Sequence, residues 1–227
     1  MKKQDIYFAA GCALVLLPFV VIPQVYEFYK TFNAQFAYIS SAIKFAVLAT
    51  AGEAIGLRIR KGVYNERGFG IIPRAILWAG FGMLIKAAFV IFFVGAPMAL
   101  AAAGINGAAT VMAGPLTPLK ILAAFCISAS MNLIFSPVFM TFHKITDTHI
   151  INTGGTVRGL FSPLHLGDIL VKLDWQRQWD FVFKKTIPLF WIPAHTIVFL
   201  LPPDQQILVA AVLGMVLGIL LALVSRK

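Results

Sequence analysis

The sequence predicts an all-α, polytopic transmembrane helix bundle: one domain over residues 1–227, about six helices, both termini inside. Three observations predict it. Of 227 residues, 59% are apolar and 12% charged, about half the ~25% charged that soluble domains carry. The mean hydropathy is +0.86, and a chain of this length cannot hide so much apolar surface in its own core. The apolar residues also fall in runs close to the ~20 residues a spanning helix needs.

Six runs reach that length: residues 6–25, 36–57, 75–94, 119–140, 181–201 and 205–224. The first follows Met1-Lys2-Lys3 and mimics a signal peptide, but residues 24–34 hold no A-x-A cleavage pattern, so it is read as a retained anchor. Residues 95–118, GAPMALAAAGINGAATVMAGPLTP, are small and uncharged. They suit either a translocated loop or a short helix at the outer surface. In LGDILVKLDWQRQWDFVFKK, Trp175, Trp179 and Phe183 recur at i+4, with Asp180 and Lys184 on another face. That pattern predicts an interfacial amphipathic helix near 166–180, running into the fifth span.

Loop charges support the six crossings. With the amino terminus inside, every Lys and Arg except Lys30, Lys44, Lys86 and Lys120 falls on an inside segment, as cytoplasmic loops require. A net charge of +10 is thereby explained by topology, and no nucleic-acid partner is expected; the bilayer itself is the expected partner. Cys12 and Cys126 lie inside apolar runs and read as small hydrophobes.

Close approach through small residues supplies much of the contact energy between helices in lipid. Ala210, Gly214, Gly218 and Ala222 form a ridge at spacing four, and Ala42, Ala46, Thr50 and Ala54 form another. Both faces are expected against other helices, within the monomer or across a homo-oligomer.

Ionisable groups at membrane depth cost about 2.5–3.5 kcal/mol each on insertion scales, so they mark protein interior or water. Lys44, Glu53 and Lys86 qualify. Lys44 and Glu53 cannot pair along one helix: nine residues at ~100° place them on opposite faces, ~13 Å apart. Each needs a partner elsewhere, and each lysine either lines a hydrated path or snorkels. In KKTIPLFWIPAHTIVFLLPPD, Pro188 and Pro193 interrupt the helix and Pro193 frees the Leu189 carbonyl. Broken helices often line sites, which makes His195 either a pore residue or a histidine bonded across a helix contact. Asn132 is read as an interhelical hydrogen-bonding or pathway residue. No metal or cofactor is expected: His143 and Asp147 at i, i+4 supply two ligands where three or four are needed. NTGGTVRG, with Gly154, Gly155 and Arg158, lacks phosphate-loop spacing and reads as a flexible inside loop.

Three stretches carry a resemblance. WIPAHTIVFLLPPDQQI holds Trp191, Phe199 and Pro203; MNLIFSP holds Asn132 and Pro137; Gly52-Glu53 lies in the second span. In order and spacing they resemble the Mpv-type family of peroxisomal and mitochondrial inner-membrane proteins, with distant bacterial relatives. The family carries Asp where this chain has Met131, Gln at His195, Asn at Val198 and Arg at Ile207, and is described with four spans. The resemblance implies a channel, or an influence on metabolite permeability.

The expected function is a channel or transporter-like protein for small anions or polar metabolites. Lys44, Lys86, Asn132 and His195 would lie on the route, with Glu53 near its inner mouth. The alternative is a structural or assembly protein docking protein partners or lipids. No enzyme is expected, since no H-E-x-x-H, G-x-S-x-G or histidine-box pattern occurs. The MKK start lacks transit-peptide character, which points to a bacterial cytoplasmic (inner) membrane.

Overall fold

A backbone in hydrocarbon must satisfy its own hydrogen bonds, and an isolated apolar run does so as a helix. In the computed structural model, which describes residues 3–224 and side chains to 223, every regular element is helical and there is no strand among the described residues. Lys2, Arg226 and Lys227, three of the expected inside charges, lie outside them. The elements are α1 (Lys3–Val21), α2 (Pro23–Gln35), α3 (Ala37–Lys61), α4 (Ile71–Ala102), α5 (Pro118–Asn152), α6 (Val157–Leu160), α7 (Leu166–Lys172), α8 (Trp175–Arg177), a π-helix (Gln178–Trp191), α9 (Ile192–Leu200) and α10 (Pro203–Val224).

Four helices among the described residues are long and apolar enough to cross a membrane: Lys3–Val21, Ile71–Ala102, Pro118–Asn152 and Pro203–Leu223. The other two expected spans are helical but different in kind. The 25-residue α3 buries polar side chains along with apolar ones, including Ser40, Ser41, Lys44 and Thr50. The fifth run is shared between the π-helix and α9, with Pro188 inside the former and Pro193 in the first turn of the latter. There the missing proline N–H needs no α-helical partner.

Several expected boundaries are corrected. Residues 24–34 are not a loop: Pro23 opens α2, which packs on α1 and α3. Helices α4 and α5 outrun their apolar stretches because hydrogen bonding continues until the backbone is turned, for α5 at Gly154 and Gly155, both at positive φ. Thr117 caps α5 by accepting from the Lys120 N–H at 3.2 Å. Residues 95–118 take the helical alternative, ending α4 and adding a 3₁₀ turn (Ala108–Ala113) packed on α4 and α5. The interfacial helix is broken at Leu173-Asp174, where Asp174 caps α8 by accepting from the Arg177 N–H at 2.9 Å. The glycine stretch is not a slack loop either. Gly155, at φ 68°, packs on the backbone of the α3–α4 connection so closely that a Cβ there would stand 2.7 Å from the Gly68 carbonyl carbon.

Helix α3 is central, flanked by α4 and α10, and the series continues α4 to α5 to α9. Two contacts set this arrangement. Gly82 of α4 lies against Ser41, whose hydroxyl donates to the Gly82 carbonyl at 2.7 Å. Gly52 of α3 faces α10 so tightly that a Cβ would stand 2.9 Å from Met215 Cα. One half of the bundle is a dense core in which Ala124, Ile127, Val198 and Ala211 are wholly enclosed, with Phe89 and Phe199 beside them. The α10 ridge is only partly seated. Ala210 and Ala222 are buried, but Gly214 and Gly218 are half-buried, and a Cβ at Gly218 would meet nothing within 4 Å. Outward faces are apolar, with Leu14, Val20, Val138 and Leu189 among their exposed residues, far more than a soluble monomer displays.

Helix α1 has no buried residue. It is tied to the end of α3 by a bidentate bond from Arg58 to Asp5, at 2.7 and 3.0 Å, and by Phe8 stacked on Tyr64 at 4.4 Å. Since Ala222 of α10 lies beside Gly56, the first and last described helices both have their outer ends at this same end of α3. Lys61, Arg74 and Lys144 cluster there too, and it is the basic end of the bundle.

Candidate functional site

The basic end holds a buried ionic cluster built from two i, i+4 pairs on facing helices. Arg74 and Trp78 share a face of α4; His143 and Asp147 share a face of α5; Glu53 comes from α3. Glu53 accepts from the Arg74 guanidinium, from the Trp78 indole N–H at 2.8 Å and sits 3.2 Å from His143 Nε2. Arg74 also pairs with Asp147 and donates to the Phe69 carbonyl at 2.7 Å. Lys144 stands 3.8 Å from Asp147. Arg74 is almost fully enclosed, its side chain 7% exposed, so its charge requires these two carboxylates. Trp78 and His143 rings lie 4.7 Å apart, closing the cluster with aromatic surface.

Beside it is a cavity of about 350 Å³ between α3, α4, α5, the π-helix and α10, within the size range of small-molecule sites. It begins at the basic end, where Lys144, Arg177 and Gln178 form the rim, and runs to Trp191, His195 and Ala210 at mid-bundle. There the enclosed core stops it. Its walls are Phe45, Phe89, Phe135, Phe139 and Phe181 with Met, Leu and Ala residues between them. Gly214 and Gly218 make room for it, and Trp191 reaches across to within 4.0 Å of where a Gly214 Cβ would stand. The small-residue ridge is thus wall as much as helix contact.

The polar residues singled out from sequence divide into two groups. Glu53 and His195 both line the cavity. Asn132 touches His195, its amide nitrogen 3.0 Å from Nδ1, while it donates to the Ser128 carbonyl at 2.9 Å and accepts from Ser136 at 3.0 Å. Ser128 in turn donates to the Ile192 carbonyl at 2.7 Å, supporting the backbone where the π-helix passes into α9. His195 is therefore bonded across a helix contact and also faces the cavity. Lys44 and Lys86 do not line it. Lys44, 6% exposed, donates to Asn33 Oδ1 of α2 at 2.6 Å and lies 5.0 Å over the Tyr29 ring; it neither snorkels to open water nor joins Glu53 and His195. Lys86 is half-buried on α4, near enough to Lys44 for the two charges to repel. No hydrogen bond or ion pair holds it among the described residues.

Arg74, Trp78 and Asp147 were not singled out as site residues. Their signal was present as two i, i+4 pairs, but Arg74 reads from sequence as a topology charge and Asp147 as half of an insufficient metal pair. No family model, curated protein or solved structure matches the chain.

Proposed function

We propose that the protein is a transporter-like membrane protein that takes a small organic anion into the cavity from the basic end, and that it is not an enzyme. In this reading the chain crosses the membrane six times, α3 and the π-helix–α9 segment being the two crossings added to the four long apolar helices. The basic end, with both termini, faces the cytoplasm of a bacterial cell, in keeping with the distribution of Lys and Arg. A distant relation to the Mpv-type family, whose members are linked to metabolite permeability, is consistent with this reading and is proposed with it.

The observation that carries the proposal is the cavity's asymmetry. It has cations at one end and a sealed core at the other, the shape of a carrier open to one side only. The lining favours a solute with an apolar body over the polar metabolites considered from sequence, because a polar solute gives up its water hydrogen bonds and finds few unpaired partners along the walls. Uptake of radiolabelled benzoate into proteoliposomes tests it. Saturable uptake above protein-free vesicles, lost in Gly214→Leu, is expected; benzoate flux equal in the presence and absence of protein overturns it.

A further inference from the structure

Most polar side chains deep in the cavity are already engaged by the protein, the buried Trp191 indole N–H, which has no hydrogen-bond partner among the described residues, being an exception. Glu53 is held by Arg74, Trp78 and His143, Ser136 donates to Asn132, Thr186 donates to the Phe181 carbonyl at 3.1 Å, and His195 Nδ1 faces Asn132. Beyond them the surface is aromatic and aliphatic. At the rim the balance reverses. Arg177 is exposed, and its guanidinium has no bonded partner among the described residues; Lys144 is 55% exposed with only the 3.8 Å contact to Asp147. Two cations from different elements therefore stand at the entrance of an apolar slot that passes Gly218 and Gly214 and reaches Trp191.

We infer that the cavity binds a single-chain anionic amphiphile, its carboxylate at Lys144 and Arg177 and its hydrocarbon chain extended between the π-helix and α10 toward Trp191 and His195. This rests on the transport reading above and names its substrate class. Charge complementarity selects the anion. The scarcity of free hydrogen-bonding groups past the rim, where the buried Trp191 indole N–H is an exception, selects a hydrocarbon body, since little there replaces the water a polar chain would lose. The slot's length accommodates a chain where a compact ring would fill only part of it: it spans the run from Arg177 to His195, several helical turns.

The test uses the purified full-length protein in lipid nanodiscs and a dodecanoate carrying a terminal diazirine. After illumination, adducts are expected on the cavity walls of α10 and the π-helix, competed by unlabelled dodecanoate and not by dodecyltrimethylammonium. Lys144→Ala with Arg177→Ala should lower labelling at least tenfold. Gly214→Leu and, separately, Gly218→Leu should abolish it with the melting temperature unchanged; either variant suffices if the other fails to fold. Labelling scattered over outward faces, or indifferent to both glycine variants and to the two rim substitutions, overturns the inference. Benzoate uptake measured on the same preparation separates the two claims: saturable uptake with scattered labelling sinks the amphiphile alone, and no uptake with focused labelling sinks transport alone.

Discussion

At the scale of residues, the structure shows how charges are kept inside an apolar bundle. Arg74 is enclosed between two carboxylates, and breaking such a pair costs far more than forming it gains, because the remaining charge is left without a counterion. Glu53→Gln should lower unfolding stability by roughly 3 kcal/mol, read from thermal melts in detergent, while Lys30→Gln, whose partner Glu27 is exposed, should leave the melt unchanged. Asn132→Leu should cost about 1–3 kcal/mol, since it strips the buried His195 ring of α9 and the Ser136 hydroxyl of their partner. Outside the membrane, burial and then the nearby Asp5 carboxylate hold the Tyr64 phenol above its usual 10.0. The fold thus favours the neutral phenol. Its contribution is complete below pH 10.0 and disappears as pH climbs through the higher folded value. Alkaline melts should therefore show α1 loosening in the native chain, and Tyr64→Phe should flatten that dependence; an unchanged curve would refute the tether. The sequence singles out Glu53, Asn132 and His195 because polarity at membrane depth is costly wherever the helix points. It does not name their partners, which depend on how neighbouring helices are set against one another.

At the scale of elements, that setting is made by backbone proximity. Gly52 and Gly82 are the places where helices touch, whereas the more regular Gly214 and Gly218 ridge borders open space. Spacing four marks small residues, and small residues serve equally to admit a helix or to leave a void; only the neighbour decides which. Gly→Ala in a helix gains up to about 1 kcal/mol in propensity, while overpacking costs about 1–3 kcal/mol. Gly80, with nothing within 4 Å, should accept Ala at no loss, and Gly52→Ala should destabilise because Met215 Cα stands at 2.9 Å. Melting both variants side by side checks the claim, and equal behaviour would contradict it. Apolar runs made the helices legible, but their ends were not. The ends are set by caps such as Thr117 and by turned glycines, neither of which registers in hydropathy.

At the scale of the whole molecule, α3, α4, α5 and α10 form an arc whose open side the cavity occupies, with α1 and α2 appended at its edge. The 32-residue α4 is ~48 Å long at 1.5 Å per residue, more than the ~30 Å hydrocarbon thickness, so the connections at its two ends must reach water on opposite sides. With Cys12 and Cys126 replaced by Ala, a membrane-impermeant maleimide should label only one of Asn65→Cys and Asn106→Cys in intact cells, and both after permeabilisation. Labelling of both in intact cells would contradict the proposed orientation.

The π-helix carries a consequence for sequence length. Its hydrogen bonds close one residue later than in an α-helix, as with the Ile192 N–H bonded to the Ile187 carbonyl, so the segment behaves like an α-helix into which surplus residues have been spliced. Excising a single residue between Gln178 and Trp191 would remove one of those surplus residues and let one wide turn close to α geometry, with the register of the helix on either side kept. The same excision within α5, which carries no surplus, would turn everything downstream by roughly 100°. A one-codon deletion should thus be borne better here than in α5.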